Sequence, residues 1–100
     1  MKRTEKMQEF YVYMLKCSDG SYYTGHTENL ELRFAQHKGG AYDGYTKIRR
    51  PLDIVYKQVF SSREAAFSAE QKIKGWSRKK KEALIRNDWE EISRLAKKQT

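Results

Sequence analysis

The sequence predicts an α+β domain, a small three-stranded antiparallel sheet flanked by helices in the order β-β-α-β-α-α-α. Three observations carry that prediction. An aromatic, β-branched run is interrupted by Ser18-Asp19-Gly20 and then resumes; a third such run spans Leu52 to Phe60; and stretches with helical periodicity and capping residues follow the second and third runs. One hundred residues are too few for two independent cores. The expected organisation is therefore a flexible segment over 1–9, one domain over 10–97 and a short tail over 98–100.

Taken in order, Phe10 to Lys16 reads as the first strand and Ser21 to His26 as the second, joined by a tight turn. The turn length matters. A two-residue Asp19-Gly20 loop would pair Ser18 with Ser21 and set Tyr13 opposite His26, on the other face from Tyr23. A three-residue loop with Gly20 in the left-handed region pairs Cys17 with Ser21 and Tyr13 with Gly25, so that Tyr13, Leu15, Tyr23 and Gly25 share a face. The second register is the predicted one.

Thr27-Glu28-Asn29 offers N-cap side chains, Leu30, Phe34 and His37 recur at helical spacing, and Gly39-Gly40 ends the helix. The segment from Gly39 to Pro51 reads as a mobile, basic loop. After the third strand, Ser61 with Glu64 forms a capping-box pattern ahead of the stripe Ala65, Ala66, Ala69 and Ile73, which Gly75 closes. Ser77 begins a third helix to about Arg86. Asp88 with Glu91 begins a fourth that ends near Lys97.

Lys and Arg outnumber Asp and Glu by 21 to 13, and a formal charge of +8 on so small a body attracts polyanions. Nucleic acid leads the candidate partners. The single cysteine, Cys17, rules out an intramolecular disulfide and a multi-cysteine zinc site, which fits a cytoplasmic setting. The charged N-terminus does not read as a signal peptide, and no run approaches the roughly twenty apolar residues of a membrane span.

Tyr11-Val12-Tyr13 and Tyr23-Thr24-Gly25 stand on consecutive strands, followed by Arg33 and His37 on the first helix and Glu70 on the next long one. In this order and placement the chain resembles the GIY-YIG nucleases, and most of all their small stand-alone members. The likeness runs from Phe10 to about Ile85 and takes in the Asp19-Gly20 turn, Tyr45-Thr46, Arg49-Arg50-Pro51 and Ile73-Lys74. Tyr11 stands where the first tripeptide has glycine and Thr24 where the second has isoleucine, both strand spacers. Asn87 is the nearest match to a late asparagine of the family.

The resemblance implies a divalent-metal-dependent endonuclease acting on DNA, with repair or recombination as a setting and Mg²⁺ or Mn²⁺ as cofactor. The rival reading is a nucleic-acid-binding module of the same fold with weak or absent catalysis. Phosphodiester hydrolysis needs an activated water, charge neutralisation and help for the leaving oxygen. By resemblance Tyr13 activates water, Tyr23 orients it, Glu70 holds the metal and Arg33 stabilises the phosphate. A free phenol has a pKa of about 10, so Tyr13 needs nearby cations to act as a base.

His37, one turn after Arg33, is a candidate proton shuttle or phosphate contact. Gly25 permits a close approach of backbone or substrate. The expected nucleic-acid footprint comprises Gly25, Lys38, Tyr45, Lys47, Arg49, Arg50, Lys72 and Lys74, with Arg78 to Lys81 farther on and Tyr42 as a second stacking ring. The bland alternatives are a core tyrosine, a structural histidine, a solvated glutamate and an ordinary charged surface. Whether DNA or RNA is preferred, and whether a protein partner or an oligomer is needed, stays open in the sequence.

Overall fold

A computed structural model describes residues 8–97 of the chain. Residues 1–7 of the expected N-terminal segment and the whole 98–100 tail lie outside the described residues. The sheet consists of β1 (Phe10–Lys16), β2 (Tyr22–Thr27) and β3 (Asp53–Phe60) in the order β2-β1-β3, all neighbours antiparallel. Between β2 and β3 lie α1 (Leu30–Lys38) and a single turn, α2 (Gly44–Lys47); after β3 come α3 (Arg63–Lys74), α4 (Arg78–Ile85) and α5 (Trp89–Lys97).

The three-residue turn is present. Cys17 N–H donates to the Ser21 carbonyl at 2.8 Å, Gly20 N–H donates to the Cys17 carbonyl at 2.9 Å, and Gly20 takes φ +87°. A side chain with a β-carbon is strained at such a φ, so glycine here selects the loop and with it the register. Tyr13 consequently pairs with Gly25 and Leu15 with Tyr23.

As the central strand, β1 is covered on both faces, and its two-residue period divides the core. Phe10, Val12 and Met14 meet Ala66, Ile73, Ala83, Leu84 and Ile92 from the three C-terminal helices. Tyr13, Leu15 and Cys17 point the other way, to Leu52 and to Leu30 and Phe34 of α1. Burying an aliphatic side chain such as Val12 or Leu15 stabilises by about 1.5–3 kcal/mol. Both faces therefore anchor the strand that carries Tyr13.

The caps follow side-chain chemistry closely. Asn29 accepts from Leu32 N–H at 3.0 Å, Ser77 from Lys80 N–H at 3.2 Å and Asp88 from Glu91 N–H at 3.2 Å. At α3 the cap is Ser62, not Ser61: its hydroxyl accepts from Ala65 N–H at 3.1 Å. Two adjacent serines offer the same chemistry, and the helix starts one residue later than the sequence pattern places it, at Arg63. The buried stripe accordingly runs through Ala66, Glu70 and Ile73, with Ala65 exposed.

The stretch from Gly39 to Pro51, expected to be a mobile, basic loop, contains α2, whose cap Asp43 accepts from Tyr45 N–H at 2.7 Å. Its far end is tied down by Arg50, which donates to the carbonyls of Lys47 at 3.0 Å and Lys38 at 3.1 Å. Asn87 has φ 60° just past α4 and accepts from the Trp89 indole at 2.7 Å, so it ends a helix. Among the described residues no helix is long and apolar enough to cross a membrane.

Candidate active site

Tyr13 projects from the centre of β1 toward α1, and the space for its ring comes from Gly25. A β-carbon at position 25 would sit 2.6 Å from the Tyr13 hydroxyl oxygen and 2.8 Å from Cζ. The close approach that Gly25 permits is thus made by Tyr13. The hydroxyl bonds His37 Nε2 at 2.9 Å, and His37 Nδ1 bonds the Thr46 hydroxyl at 2.8 Å. Thr46 Oγ1 donates onward to the Asp43 carbonyl at 3.3 Å.

That last contact orients the chain of hydrogen bonds. A threonine hydroxyl that donates to a carbonyl accepts from Nδ1–H, which leaves Nε2 as the unprotonated nitrogen and Tyr13 as its donor. Burial is the main cause of a lowered His37 pKa, opposed by the Asp43 carboxylate and assisted by Arg33. A neutral imidazole aimed at a phenol is an acceptor for the phenolic proton. Burial pushes Tyr13 up to about 12, with Arg33 pulling the other way. His37 itself is fully buried, so its partner is Tyr13 rather than a phosphate at the surface.

Tyr23 stands beside this pair on the same face of the sheet. Its ring centroid is 6.4 Å from that of Tyr13 and 5.2 Å from His37, edge-on to the latter, and its hydroxyl donates to Asp43 Oδ2 at 3.2 Å. Burial first, then neighbouring negative charge, raises its pKa far above the usual phenol range. Tyr23 therefore keeps its phenolic proton. Arg33 lies with its guanidinium carbon 4.0 Å from the Tyr42 ring centre and Nη1 3.4 Å from the His26 carbonyl. No carboxylate pairs with Arg33 among the described residues, so its charge is not neutralised by a partner carboxylate.

Glu70 enters from α3, and its carboxylate is nearly fully buried. One oxygen contacts His26 Nδ1 and the other pairs with Lys74 Nζ at 2.7 Å. Phe67 packs edge-on against His26 at 5.7 Å. Among the described residues no three His, Cys, Asp or Glu side chains gather into a ready cage for a metal. A lone carboxylate is nonetheless a suitable protein ligand for Mg²⁺, which takes most of its oxygens from water and substrate phosphate. A single carboxylate of this kind suits such an ion, and in this state its counter-charge is Lys74.

The basic residues have varied surroundings. Arg49 pairs with Asp19 at 3.0 Å, donates to the Tyr45 carbonyl and stacks on the Tyr45 ring at 3.8 Å. Arg50 ties the loop to α1 as described above, and Tyr45 also stacks on Tyr23 at 6.2 Å. Their donors and rings are thus used in holding the loop against the site. Lys38, Lys47 and Lys72 are exposed, and Lys38 lies over Phe34 at 4.9 Å.

The sequence pattern assigns no role to His26, Asp43 or Thr46. Asp43 and Thr46 were legible as an N-cap and its third-following residue, the pattern that starts α2. For His26 the second-strand period was available: with Tyr22 and Thr24 it faces α3, where Glu70 lies.

A model of the GIY-YIG catalytic domain matches residues 9–83. A UPF0213 protein of Staphylococcus saprophyticus is 44% identical over 79 residues, covering 79% of this chain and 96% of its own length. A UPF0213 protein of Staphylococcus haemolyticus is 47% identical over the same shares. The solution structure of a UPF0213 protein from Bacillus halodurans is similar with a TM-score of 0.52 and 42% identity, over 77% of this chain and 82% of that one. A solution structure from E. faecalis gives a TM-score of 0.58 and 32% identity, over 84% and 90%.

Proposed function

The chain belongs to the GIY-YIG family, and we propose that it is an endonuclease that hydrolyses phosphodiester bonds in DNA with Mg²⁺ or Mn²⁺. The observation that carries the reading is the buried hydrogen-bond chain from Tyr13 through His37 to Thr46, with Tyr23 and Arg33 alongside. A core tyrosine needs one partner for its hydroxyl. This one meets an imidazole whose other nitrogen is fixed and whose neutral form burial favours, an arrangement suited to moving a proton.

In the proposed reaction the Tyr13 proton passes to His37 Nε2, the phenolate takes a proton from a water whose oxygen bonds to phosphorus, and the opposite P–O bond breaks with the leaving oxygen taking a proton from solvent water. Arg33 donates to the phosphoryl oxygens as their charge grows. Tyr23, fixed by Asp43, orients the water. Glu70 would hold the divalent ion, which when bound supplies Lewis-acid neutralisation of the phosphoryl charge. The span from Phe10 to Lys97 is taken as the working domain, with α5 lying beyond the part that the family model matches.

A second reading, a binding module of the same fold with weak or absent catalysis, is favoured by one feature: both Glu70 oxygens are engaged by His26 and Lys74. One experiment separates the two. The purified protein is given single-stranded, duplex, flap and branched DNA with Mg²⁺ or Mn²⁺, and Glu70→Ala is the control. Cleavage by the wild type alone supports the nuclease. Tight binding with no cleavage of any substrate supports the module.

A further inference from the structure

Beside the site, along β2, lies a cleft of about 350 Å³ lined by Tyr22, Tyr23, Thr24, Tyr45, Lys74 and Lys81, with Asp43 at its edge. Two of its polar groups lack partners among the described residues. Thr24, only 3% exposed, has a hydroxyl with no hydrogen bond. Lys81 on α4 is half-buried, and no carboxylate pairs with its ammonium. An unmatched buried hydroxyl and an unpaired, partly desolvated cation each cost free energy, so native proteins rarely keep them without a use. What both lack is an anion with several acceptor oxygens.

Deepening the nuclease reading, on which it rests, we propose that this cleft binds a nucleic-acid backbone phosphate next to the scissile one, held by Lys74 and Lys81 with Thr24 at its floor. The neighbouring groups leave Lys81 to such a ligand. Asp43 is committed to the α2 cap and to the Tyr23 hydroxyl, while the Tyr22 hydroxyl donates to Glu82 at 3.1 Å. The phosphate bound here is distinct from the one at Arg33. Alternation along β2 turns Tyr23 and Gly25 toward Tyr13 but Thr24 toward α3. Desolvation lowers the Lys81 pKa, as expected of a cation with no counter-charge. Lys74 is shared, so a phosphate in the cleft competes with Glu70 for its ammonium. Thr24 occupies a tripeptide position that serves in the sequence pattern as a spacer, and the cleft gives its hydroxyl a task.

The test is binding of a fluorescein-labelled DNA oligonucleotide, measured by anisotropy in EDTA over a series of salt concentrations. Lys81→Met should reduce the slope of log affinity against log salt by about 1. Thr24→Val, which keeps the shape and removes the orphan hydroxyl, should weaken binding several-fold while the Tm of the free protein stays level or rises. A neutral methylphosphonate at the contacted linkage should weaken wild-type binding and have a smaller effect in Lys81→Met, where only Lys74 still meets that phosphate. An unchanged salt slope in Lys81→Met, or a lower Tm with unchanged affinity in Thr24→Val, overturns the proposal. So does saturation of the cleft by inorganic phosphate at the concentration that suffices for the oligonucleotide, because the site would then be one for free anions. Because no metal is present, a protein that never cleaves can still pass, and an active nuclease can fail.

Discussion

Replacing Gly25 by alanine tests the packing on which the whole site depends. The added carbon would lie 2.6 Å from the Tyr13 oxygen, 2.8 Å from Cζ and 3.2 Å from Cε1. Ordinary contacts between such atoms begin near 3.5 Å, so the ring must retreat by close to an ångström. Tyr13 is fully enclosed between the sheet and α1, so that retreat is an overpacking strain of about 1–3 kcal/mol. It also lengthens the 2.9 Å bond to His37, and two buried polar groups left poorly matched add about 1 kcal/mol or more. At roughly 4–8 °C per kcal/mol for a domain of this size, the resulting ~2–4 kcal/mol should lower Tm by about 8–32 °C. Cleavage measured well below the new Tm should fall by more than the folded fraction does, because the Tyr13 oxygen has moved. Adding Tyr13→Phe should recover part of the Tm, by removing the nearest atom, and none of the activity. Wild-type Tm and turnover in Gly25→Ala would refute the reasoning.

Glu70→Ala and Arg33→Ala should each abolish cleavage with the fold retained, and the first should largely preserve DNA binding; full turnover by either purified variant with Mg²⁺ or Mn²⁺ removes that residue from the chemistry. The cleavage rate should fall as pH drops through the His37 pKa, which lies below the ordinary value of about 6.5. The folded-state pKa is the depressed one, so the stability linked to His37 is complete above about pH 6.5 and is lost as pH falls through the lower folded value. Thermal melts from pH 7 to 5 should therefore decline less steeply in His37→Gln than in wild type, and parallel declines would count against a buried neutral His37. Neutralising Lys47, Arg49 and Arg50 together should flatten the salt dependence of DNA binding without changing sequence preference, and an unchanged slope would remove the loop from the footprint. The same triple change should lower Tm, since Arg49 and Arg50 also hold the loop, whereas Lys47→Ala alone should reduce the slope with Tm unaltered.

Much of the sheet was legible because single residues decide it. Gly20 is the residue able to take the positive φ of a three-residue turn, and from that choice the Tyr13 to Gly25 pairing follows by counting. The caps at Asn29, Ser77 and Asp88 were readable for a similar reason: a short polar side chain before a periodic run has few other uses. The one-turn helix α2 was less visible, since four residues carry too little periodicity to register and the glycines around it point to a loop. That cost the most at the site itself. Thr46 touches His37 only because α2 folds back on α1, and His26 meets Glu70 only across the gap between β2 and α3. Strand and cap periods show which way His26 and Thr46 face, but not which residue each meets.

The free site is electrically self-satisfied, and this bears on how it would work. Tyr13 holds its proton, His37 is neutral, and Glu70 is covered by His26 and Lys74. In that state the phenol stays protonated: burial raises the Tyr13 pKa, Arg33 opposes it, and the net shift is upward. Additional positive charge near Glu70 would tip the balance, and Glu70 is the group able to hold a divalent ion there once Lys74 is drawn elsewhere. A polyanion is the ligand that draws lysines, and the unmatched groups of the adjoining cleft lie on the same side of the sheet as Lys74. Substrate binding and activation of Tyr13 are then linked through one ammonium group. On that account removal of the Lys74 charge, as in Lys74→Met, should weaken binding of DNA yet lessen its effect on the metal affinity of Glu70, a coupling that a purely structural Glu70–Lys74 pair would not produce.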